Sequence, residues 1–175
     1  MGPTSFITLS FLVYLAASPF LEATEVLKGY ACPEFWDFFE DNCYRYFSEK
    51  KAWKEAEDVC QSLGTHLVSI QSKQESCHLR KYLTKFLPNG DVWIGLHNPQ
   101  KTPGSAFWQW TDSLALKHSA WNPGQPNNYA NTGEFCAELW KSTDFKKWND
   151  EMCNRKNSFV CKATVESIQE EFACK

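Results

Sequence analysis

The sequence lacks the patterns that mark several common classes of protein. It has no Cys-x-x-Cys motif and no cysteine–histidine pair at the spacing of zinc ligands, which argues against a zinc cluster. It has no long run of like charges, and its formal net charge of −3 predicts no binding of nucleic acid or of an anionic membrane. No nucleophile stands beside a base in a catalytic pattern, so we predict that the protein is not an enzyme.

Long apolar runs are also scarce, and only residues 6–21 form one, interrupted by Pro19. This run is shorter than the roughly 18 consecutive apolar residues of a transmembrane helix, and the small residue Ala23 follows it. We therefore predict that residues 1–23 are a cleaved signal peptide and residues 24–31 a short N-terminal segment of a secreted protein. The absence of Lys or Arg before the run leaves an uncleaved type II membrane anchor as the alternative.

Cysteine, in contrast, is abundant. The predicted mature chain contains eight cysteines, namely Cys32, Cys43, Cys60, Cys77, Cys136, Cys153, Cys161 and Cys174. An even number of cysteines behind a secretory leader predicts a disulfide framework, although the number alone does not choose among the pairings. Aromatic residues surround a polar turn between Cys32 and Cys43, which predicts a hairpin closed by a Cys32–Cys43 disulfide.

Two segments have the apolar spacing of amphipathic helices. The first runs from Ser48, a candidate N-cap, to Gly64, a candidate helix end. The second begins at Ser72, where Ser-Lys-Gln-Glu has the form of a capping box, and stops at Pro88. Its predicted buried face consists of Leu79, Tyr82, Leu83, Phe86 and Leu87.

Short apolar and aromatic runs after residue 90 predict strands. They are Val92–Leu96, Phe107–Trp110, Phe135–Trp140 and Ser158–Cys161. Between them, residues 120–134 show no periodicity, and a structureless loop of this length in a small domain is usually functional. Helices followed by strands, without regular alternation, predict an α+β domain.

The long loop (residues 120–134) and the segment before Cys153 both carry oxygen-bearing side chains. Calcium takes about six to eight oxygen ligands from carboxylates, amides, backbone carbonyls and water. The candidate ligands in these two segments are Gln125, Asn127, Glu134, Asn149 and Asp150. Their two carboxylates would balance one Ca²⁺, and a Cys136–Cys153 disulfide would hold the two segments together. The alternative is that these residues only solvate an exposed turn.

Several separated motifs carry a family resemblance. The motifs are Trp93-Ile94-Gly95-Leu96, Gln125-Pro126-Asn127 and Trp148-Asn149-Asp150, together with the spacing of six cysteines. Over residues 32–162 the chain resembles the long-form C-type lectin domain, especially its soluble single-domain members from reptile venom and the regenerating-protein group. Residues 163–175 would then be a C-terminal tail.

The resemblance implies a fold and a ligand. The fold is a disulfide-stapled α+β domain, in which two helices and short antiparallel strands support a long calcium and sugar loop. The implied disulfides are Cys32–Cys43, Cys60–Cys161 and Cys136–Cys153. In this family the positions of Gln125, Asn127, Glu134, Asn149 and Asp150 bind Ca²⁺ and, through it, two adjacent sugar hydroxyls. A second calcium site would need acids at Asn128 and Phe135, so we do not predict one.

The sugar type depends on which ligands are amides. A carboxylate accepts hydrogen bonds only, whereas an amide bound to calcium through its oxygen still donates from its NH₂ group. In this family Glu-Pro-Asn accompanies mannose-type sugars and Gln-Pro-Asp galactose-type sugars, and Gln125-Pro126-Asn127 combines the two. We predict a lectin for hexoses on glycoproteins or cell surfaces, with mannose-type sugars slightly favoured.

Two other functions remain open at this point. One is a calcium-independent domain of the same fold that binds a protein target, such as a receptor, a coagulation factor or an enzyme. The other is a membrane receptor, which requires that the leader stay attached.

Cys77 and Cys174 remain after the implied pairings. They either bridge the tail to the second helix or form interchain bonds. We favour a disulfide-linked dimer, because venom-type relatives often dimerise near this helix, and a dimer would agglutinate cells.

Overall fold

The sheet begins with the hairpin predicted between Cys32 and Cys43. The computed structural model describes residues 32–102 and 107–165. In this structure β1 (Asp37–Phe39) pairs antiparallel with β2 (Asn42–Lys51), and a Cys32–Cys43 disulfide closes the hairpin. The predicted signal peptide, the segment 24–31 and Cys174 lie outside the described residues.

The first helix, α1, begins later than predicted. It spans Trp53–Gln61, and the backbone N–H of the preceding residue, Ala52, donates to the Glu55 carboxylate at 3.0 Å. Ser48, the predicted N-cap, lies in β2 instead, because β2 continues past it to pair with β8 (Asn157–Thr164). The strand partner lies far away in the chain, so the local sequence gives no indication of where the helix begins.

The second helix, α2, spans Lys73–Thr84 and begins at the predicted position. Ser72 caps it by accepting a hydrogen bond from the Glu75 backbone N–H at 3.0 Å. Phe86 and Leu87, predicted on its buried face, lie beyond its end and are 46% and 82% exposed. Leu87 has a φ of 49°, so the chain has already left the helical conformation there. Within the described part of the chain, no helix has the length and apolarity needed to cross a membrane.

The remaining strands complete one sheet. They are β3 (His66–Leu67), β4 (Val92–His97), β5 (Gln109–Trp110), β6 (Glu134–Leu139) and β7 (Trp148–Met152). The strand order is β1-β2-β8-β4-β6-β7, with β3 also paired to β8 and β5 to β4. The β4–β8 pair is parallel, an exception to the predicted antiparallel pairing, and the long connection between these strands permits it. Strand β8 continues past Lys162 to Thr164.

Disulfides and indole rings hold the layers together. Cys60 of α1 is bonded to Cys161 of β8, and Cys136 of β6 to Cys153, which follows β7, so the pairs are those that the resemblance implies. The largest fully buried side chains include Trp93, Trp110 and Trp148. The fold is the predicted α+β architecture, and the sheet positions β6 and β7 next to the long loop.

Candidate functional site

The base of the long loop is attached to the first residue of β7. Trp148 donates its backbone N–H to the Ala120 carbonyl and accepts from the Asn122 N–H, both at 2.9 Å. Beyond this base, the Gln125 N–H donates to the Asn122 carbonyl at 2.9 Å, and the Gln125–Pro126 peptide bond is cis. Trp148 itself is fully buried, so the loop starts from a fixed point in the core.

Asp150 connects the loop to β7 a second time. Its carboxylate accepts hydrogen bonds from the backbone N–H of Asn127 at 3.1 Å and of Asn128 at 2.7 Å. Asp150 is only 1% exposed, so the carboxylate is held in place by donors that come from the loop backbone. The structure therefore brings the Gln-Pro-Asn motif and Asp150 together.

Glu134 joins the same group through the far end of the loop. The Asn128 side-chain oxygen accepts from the backbone N–H groups of Gly133 and Glu134, each at 2.9 Å. The Glu134 carboxylate in turn accepts from the Tyr129 N–H at 2.6 Å. The pKa of Glu134 is raised, chiefly by burial and also by the nearby Asp150 carboxylate. The hydrogen bond from the Tyr129 N–H acts in the opposite direction. Asn128, where the resemblance would require an acid for a second calcium, thus has a structural role.

Asn149 lies next to Asp150 in sequence and bonds to a different carboxylate. Its NH₂ group donates to Glu138 at 3.0 Å, and Asn157 donates to the other oxygen of Glu138 at 2.7 Å. Glu138 is buried, and burial, assisted by the carboxylate of Asp91, raises its pKa to about 8. Sequence reasoning missed Glu138, although an acid within the apolar run Phe135–Trp140 was a visible anomaly.

Gln125 is the predicted ligand with an unused oxygen. Its side-chain Oε1 is buried and has no hydrogen-bond partner among the described residues. A buried acceptor left without a donor is costly, and a cation near it would remove that cost. The Asn127 residue is exposed, which leaves its amide open to a ligand from solvent.

The donor set fits a calcium ion. Each carboxylate oxygen has two lone pairs, so Asp150 and Glu134 can bind a metal while they accept from the loop backbone. Asn149 donates through nitrogen, and its amide oxygen remains for a cation. No group of three or more His, Cys, Asp or Glu side chains that could hold a metal was found among the described residues. A calcium site here therefore depends on amide oxygens.

Tyr129 is a second residue that sequence reasoning missed. Its side chain is 70% exposed, and its backbone N–H is bonded to Glu134. The neighbouring residues Asn128, Ala130 and Asn131 all have positive φ angles between 43° and 57°, so the backbone turns sharply on both sides of it. An aromatic residue two positions after Asn127, among Asn, Ala and Thr, was the available indication.

Comparison with known proteins assigns the family. A family model described as the C-type lectin domain matches residues 49–163. The chain belongs to the C-type lectin domain family. It is 43% identical over 138 residues to a C-type lectin of the lectoxin group from Thrasops jacksonii, covering 77% of this chain and 85% of that protein. It is 37% identical to a C-type lectin mannose-binding isoform of Oxyuranus scutellatus, covering 92% and 98%.

A solved structure shares the architecture of this C-type lectin domain. A calcium-independent type II antifreeze protein aligns with a TM-score of 0.66 and 26% identity, over 77% of this chain and 95% of that one. The family consists of lectins and lectin-like binding proteins, and this membership confirms the prediction that the chain is not an enzyme.

Glu138 makes the stability of the calcium-free C-type lectin domain depend on pH. The Glu138 carboxyl keeps its proton up to about pH 8 in the folded protein, whereas in the unfolded chain it loses the proton near the ordinary pKa of 4.5. The free energy of unfolding should therefore fall as the pH rises through this window. Glutamine cannot ionise, so Glu138→Gln should remove this fall in stability. At about 1.4 kcal/mol for each pKa unit, the fall that is removed amounts to a few kcal/mol.

Denaturant unfolding in EDTA at pH 5 and pH 8.5 measures the effect. The control is Glu49→Gln, because the side chain of Glu49 is 72% exposed. This variant should keep the pH dependence of the wild type. Equal pH slopes for the wild type and Glu138→Gln would contradict the assignment.

Proposed function

We propose that this C-type lectin domain is a secreted, calcium-dependent lectin for hexoses on glycoproteins or cell surfaces. The site consists of Gln125, Asn127, Glu134, Asn149 and Asp150. The observation that carries the proposal is the buried Asp150 carboxylate, which accepts from the backbone N–H of Asn127, the last residue of the Gln-Pro-Asn motif, and of Asn128 after it. These bonds hold the loop against β7, which supports a shared site for the oxygen donors of the two segments.

The chemistry of the donors suits a sugar with two adjacent hydroxyls. A bound Ca²⁺ would coordinate such a pair of hydroxyls while the protein side chains contact them. The amides of Gln125, Asn127 and Asn149 can donate to sugar oxygens, and the carboxylates of Glu134 and Asp150 can only accept. The mannose-binding name of one relative supports a preference for mannose-type sugars over galactose-type sugars.

Tyr129 offers a hydrophobic contact beside the same donors. Its ring is largely exposed, and a tyrosine can pack its face against the apolar side of a sugar ring while its hydroxyl stays in water. We include it in the proposed site as a residue that contacts the sugar and does not bind the metal.

Cys77 supports the proposed dimer. It is exposed and forms no disulfide with any other described cysteine. A disulfide-linked dimer would carry two sugar sites, so that weak single-site binding gains strength on a surface by effective concentration. Gel mobility that is the same with and without reducing agent would rule out the covalent dimer.

The second candidate is a calcium-independent domain that binds a protein. It is favoured by the likeness to an antifreeze protein whose description says that it is calcium-independent. It is also favoured by the loop backbone, because Glu134 and Asp150 already have N–H partners without a metal. In this case the exposed loop would be the docking surface.

A glycan array separates the two candidates when it is probed with calcium at about 2 mM, a concentration that fills even weak calcium sites, and again with EDTA. We expect binding to mannose-type glycans with calcium and none with EDTA. Glycan binding that persists in EDTA, or no binding to any hexose, would refute the lectin proposal.

Two variants test the separate roles of the metal ligands and of Tyr129. Gln125→Glu adds a carboxylate, so it should tighten calcium binding about tenfold. Tyr129→Ala should weaken sugar binding without changing calcium binding.

A further inference from the structure

A cleft between α2 and the segments 118–120 and 146–147 lies outside the proposed sugar site. Its volume is about 390 Å³, and none of the five candidate calcium ligands lines it. Most of the surface that lines it is apolar, and the basic and polar side chains on its walls include Lys73, Ser76, Arg80, His118, Lys146 and Lys147. This volume lies within the range of small-ligand sites, about 300–1,000 Å³.

The cleft holds an excess of positive charge. Among the described residues, Asp144 forms an ion pair of 2.7 Å with Arg80 and a longer one of 3.6 Å with Lys146. No carboxylate in the described part of the chain forms an ion pair with Lys73 or Lys147. The chain as a whole carries a net charge of −3, so this concentration of cations is a local feature.

His118 adds a buried polar atom to the same wall. Its Nε2 has no hydrogen-bond partner among the described residues, and its ring packs edge-on against Trp148 at 5.7 Å. Burial lowers the pKa of His118, the Glu75 carboxylate opposes this shift, and the charge of Lys147 adds to it. A neutral imidazole with an unused nitrogen next to lysines can donate a hydrogen bond to an anion.

Both walls of the cleft are fixed to the core. The Glu75 carboxylate of α2 accepts from Tyr44 at 2.7 Å and from Lys162 at 2.6 Å, which ties the helix to the sheet. On the other wall, the backbone N–H of Lys147 donates to the Thr143 hydroxyl at 3.1 Å. The backbone on both sides of the cleft is therefore held in place, and the exposed side chains of Lys73, Lys146 and Lys147 become ordered when a ligand binds.

We propose that this cleft, in chains whose Cys77 is not disulfide-bonded to a second chain, binds a sulfate group of a sulfated oligosaccharide independently of calcium. Lys73 and Lys147 supply unpaired charge, Arg80 and Lys146 add to it, and the Ser76 hydroxyl can contact neighbouring sugar hydroxyls. The cations are confined to one small cleft and do not follow a track of the kind that a nucleic acid backbone needs. The volume of about 390 Å³ limits a bound oligosaccharide to one or two charged units.

Calorimetric titration with a sulfated disaccharide in EDTA tests the proposal, since EDTA abolishes any contribution of the calcium site. Because Cys77 also lines the cleft, the titrations use Cys77→Ser, in which no intermolecular disulfide can cover it. We expect the sulfated disaccharide to bind, the same disaccharide without sulfate to bind at least about tenfold more weakly, and binding to weaken with salt.

Variants of single lysines locate the site. Lys73→Ala and Lys147→Ala should each weaken binding by about tenfold, and Lys156→Ala, an exposed lysine that does not line the cleft, should not change it. Equal affinity for sulfated and unsulfated sugar, or unchanged affinity in both cleft variants, would overturn the proposal. Tighter binding of a phosphopeptide, of a sialylated sugar or of an oligonucleotide at these lysines would overturn the choice of ligand. Failure of this test leaves the calcium site untouched, because that site is tested separately with calcium and neutral glycans.

Discussion

Asp150→Ala should abolish calcium-dependent binding to hexose resin and lower the free energy of unfolding in EDTA by about 2–4 kcal/mol. The substitution removes a carboxylate from the proposed metal site and also removes the acceptor of two backbone N–H groups from the loop. Asn128 is itself buried, so its N–H would be left unpaired away from water. Retention on hexose resin and denaturant unfolding measure the two effects separately.

Two further variants distinguish structural from metal-binding roles of Asp150. Asp150→Asn keeps the size of the side chain and one acceptor, so it should lose less stability than alanine and still lose calcium binding. Asp58→Ala removes an exposed aspartate of α1 that pairs with Lys54, which is also exposed, and it should change stability by less than about 0.5 kcal/mol. If Asp150→Ala kept the stability of the wild type in EDTA, the carboxylate would not be what attaches the loop to β7.

Removal of the Cys60–Cys161 disulfide should cost more stability than removal of Cys136–Cys153. The first bond closes a separation of 101 residues and the second a separation of 17. In the chain-entropy model these lengths correspond to about 4.7 and about 3 kcal/mol. Since small domains are stable by only about 5–15 kcal/mol, Cys60→Ala/Cys161→Ala should have a much reduced melting temperature.

For calcium affinity the order of the two disulfides should be reversed, with the larger loss on removal of Cys136–Cys153. Cys136 follows Glu134 closely in the chain, and Cys153 follows Asp150, so their bond holds both sides of the proposed calcium site. Calcium titration, followed by the melting temperature, should show a larger loss of affinity for Cys136→Ala/Cys153→Ala than for Cys60→Ala/Cys161→Ala. Equal losses of calcium affinity would contradict a positioning role for the Cys136–Cys153 bond.

The sequence predicted those parts of the fold that depend on near neighbours. Ser72 and Glu75 are three residues apart, and the capping interaction that they imply is present at the start of α2. Ser48 failed as a helix cap because β2 pairs with a strand more than a hundred residues later. Pairings of this kind, including the parallel pair β4–β8, are set by packing across the whole sheet and leave little local pattern.

The candidate site also combines features that the local sequence predicts with features that only the assembled fold determines. The types and spacing of its oxygen donors were readable, and the structure brings Asp150 to the Gln-Pro-Asn motif. The role of Asn128 was not readable, because it depends on two backbone N–H groups at the end of the loop. Glu138 was missed because its contacts with Asn149 and Asn157 exist only after β6, β7 and β8 have assembled.

The central position of β8 has a consequence for how the chain folds during translation. Strands β2 and β4 both pair with β8, which is the last strand in the described part of the chain. While the ribosome is still making residues 157–164, both strands have open edges, and Cys60 has no partner. Open strand edges are prone to aggregation, so this domain depends on completing its last strand before the earlier ones find other chains.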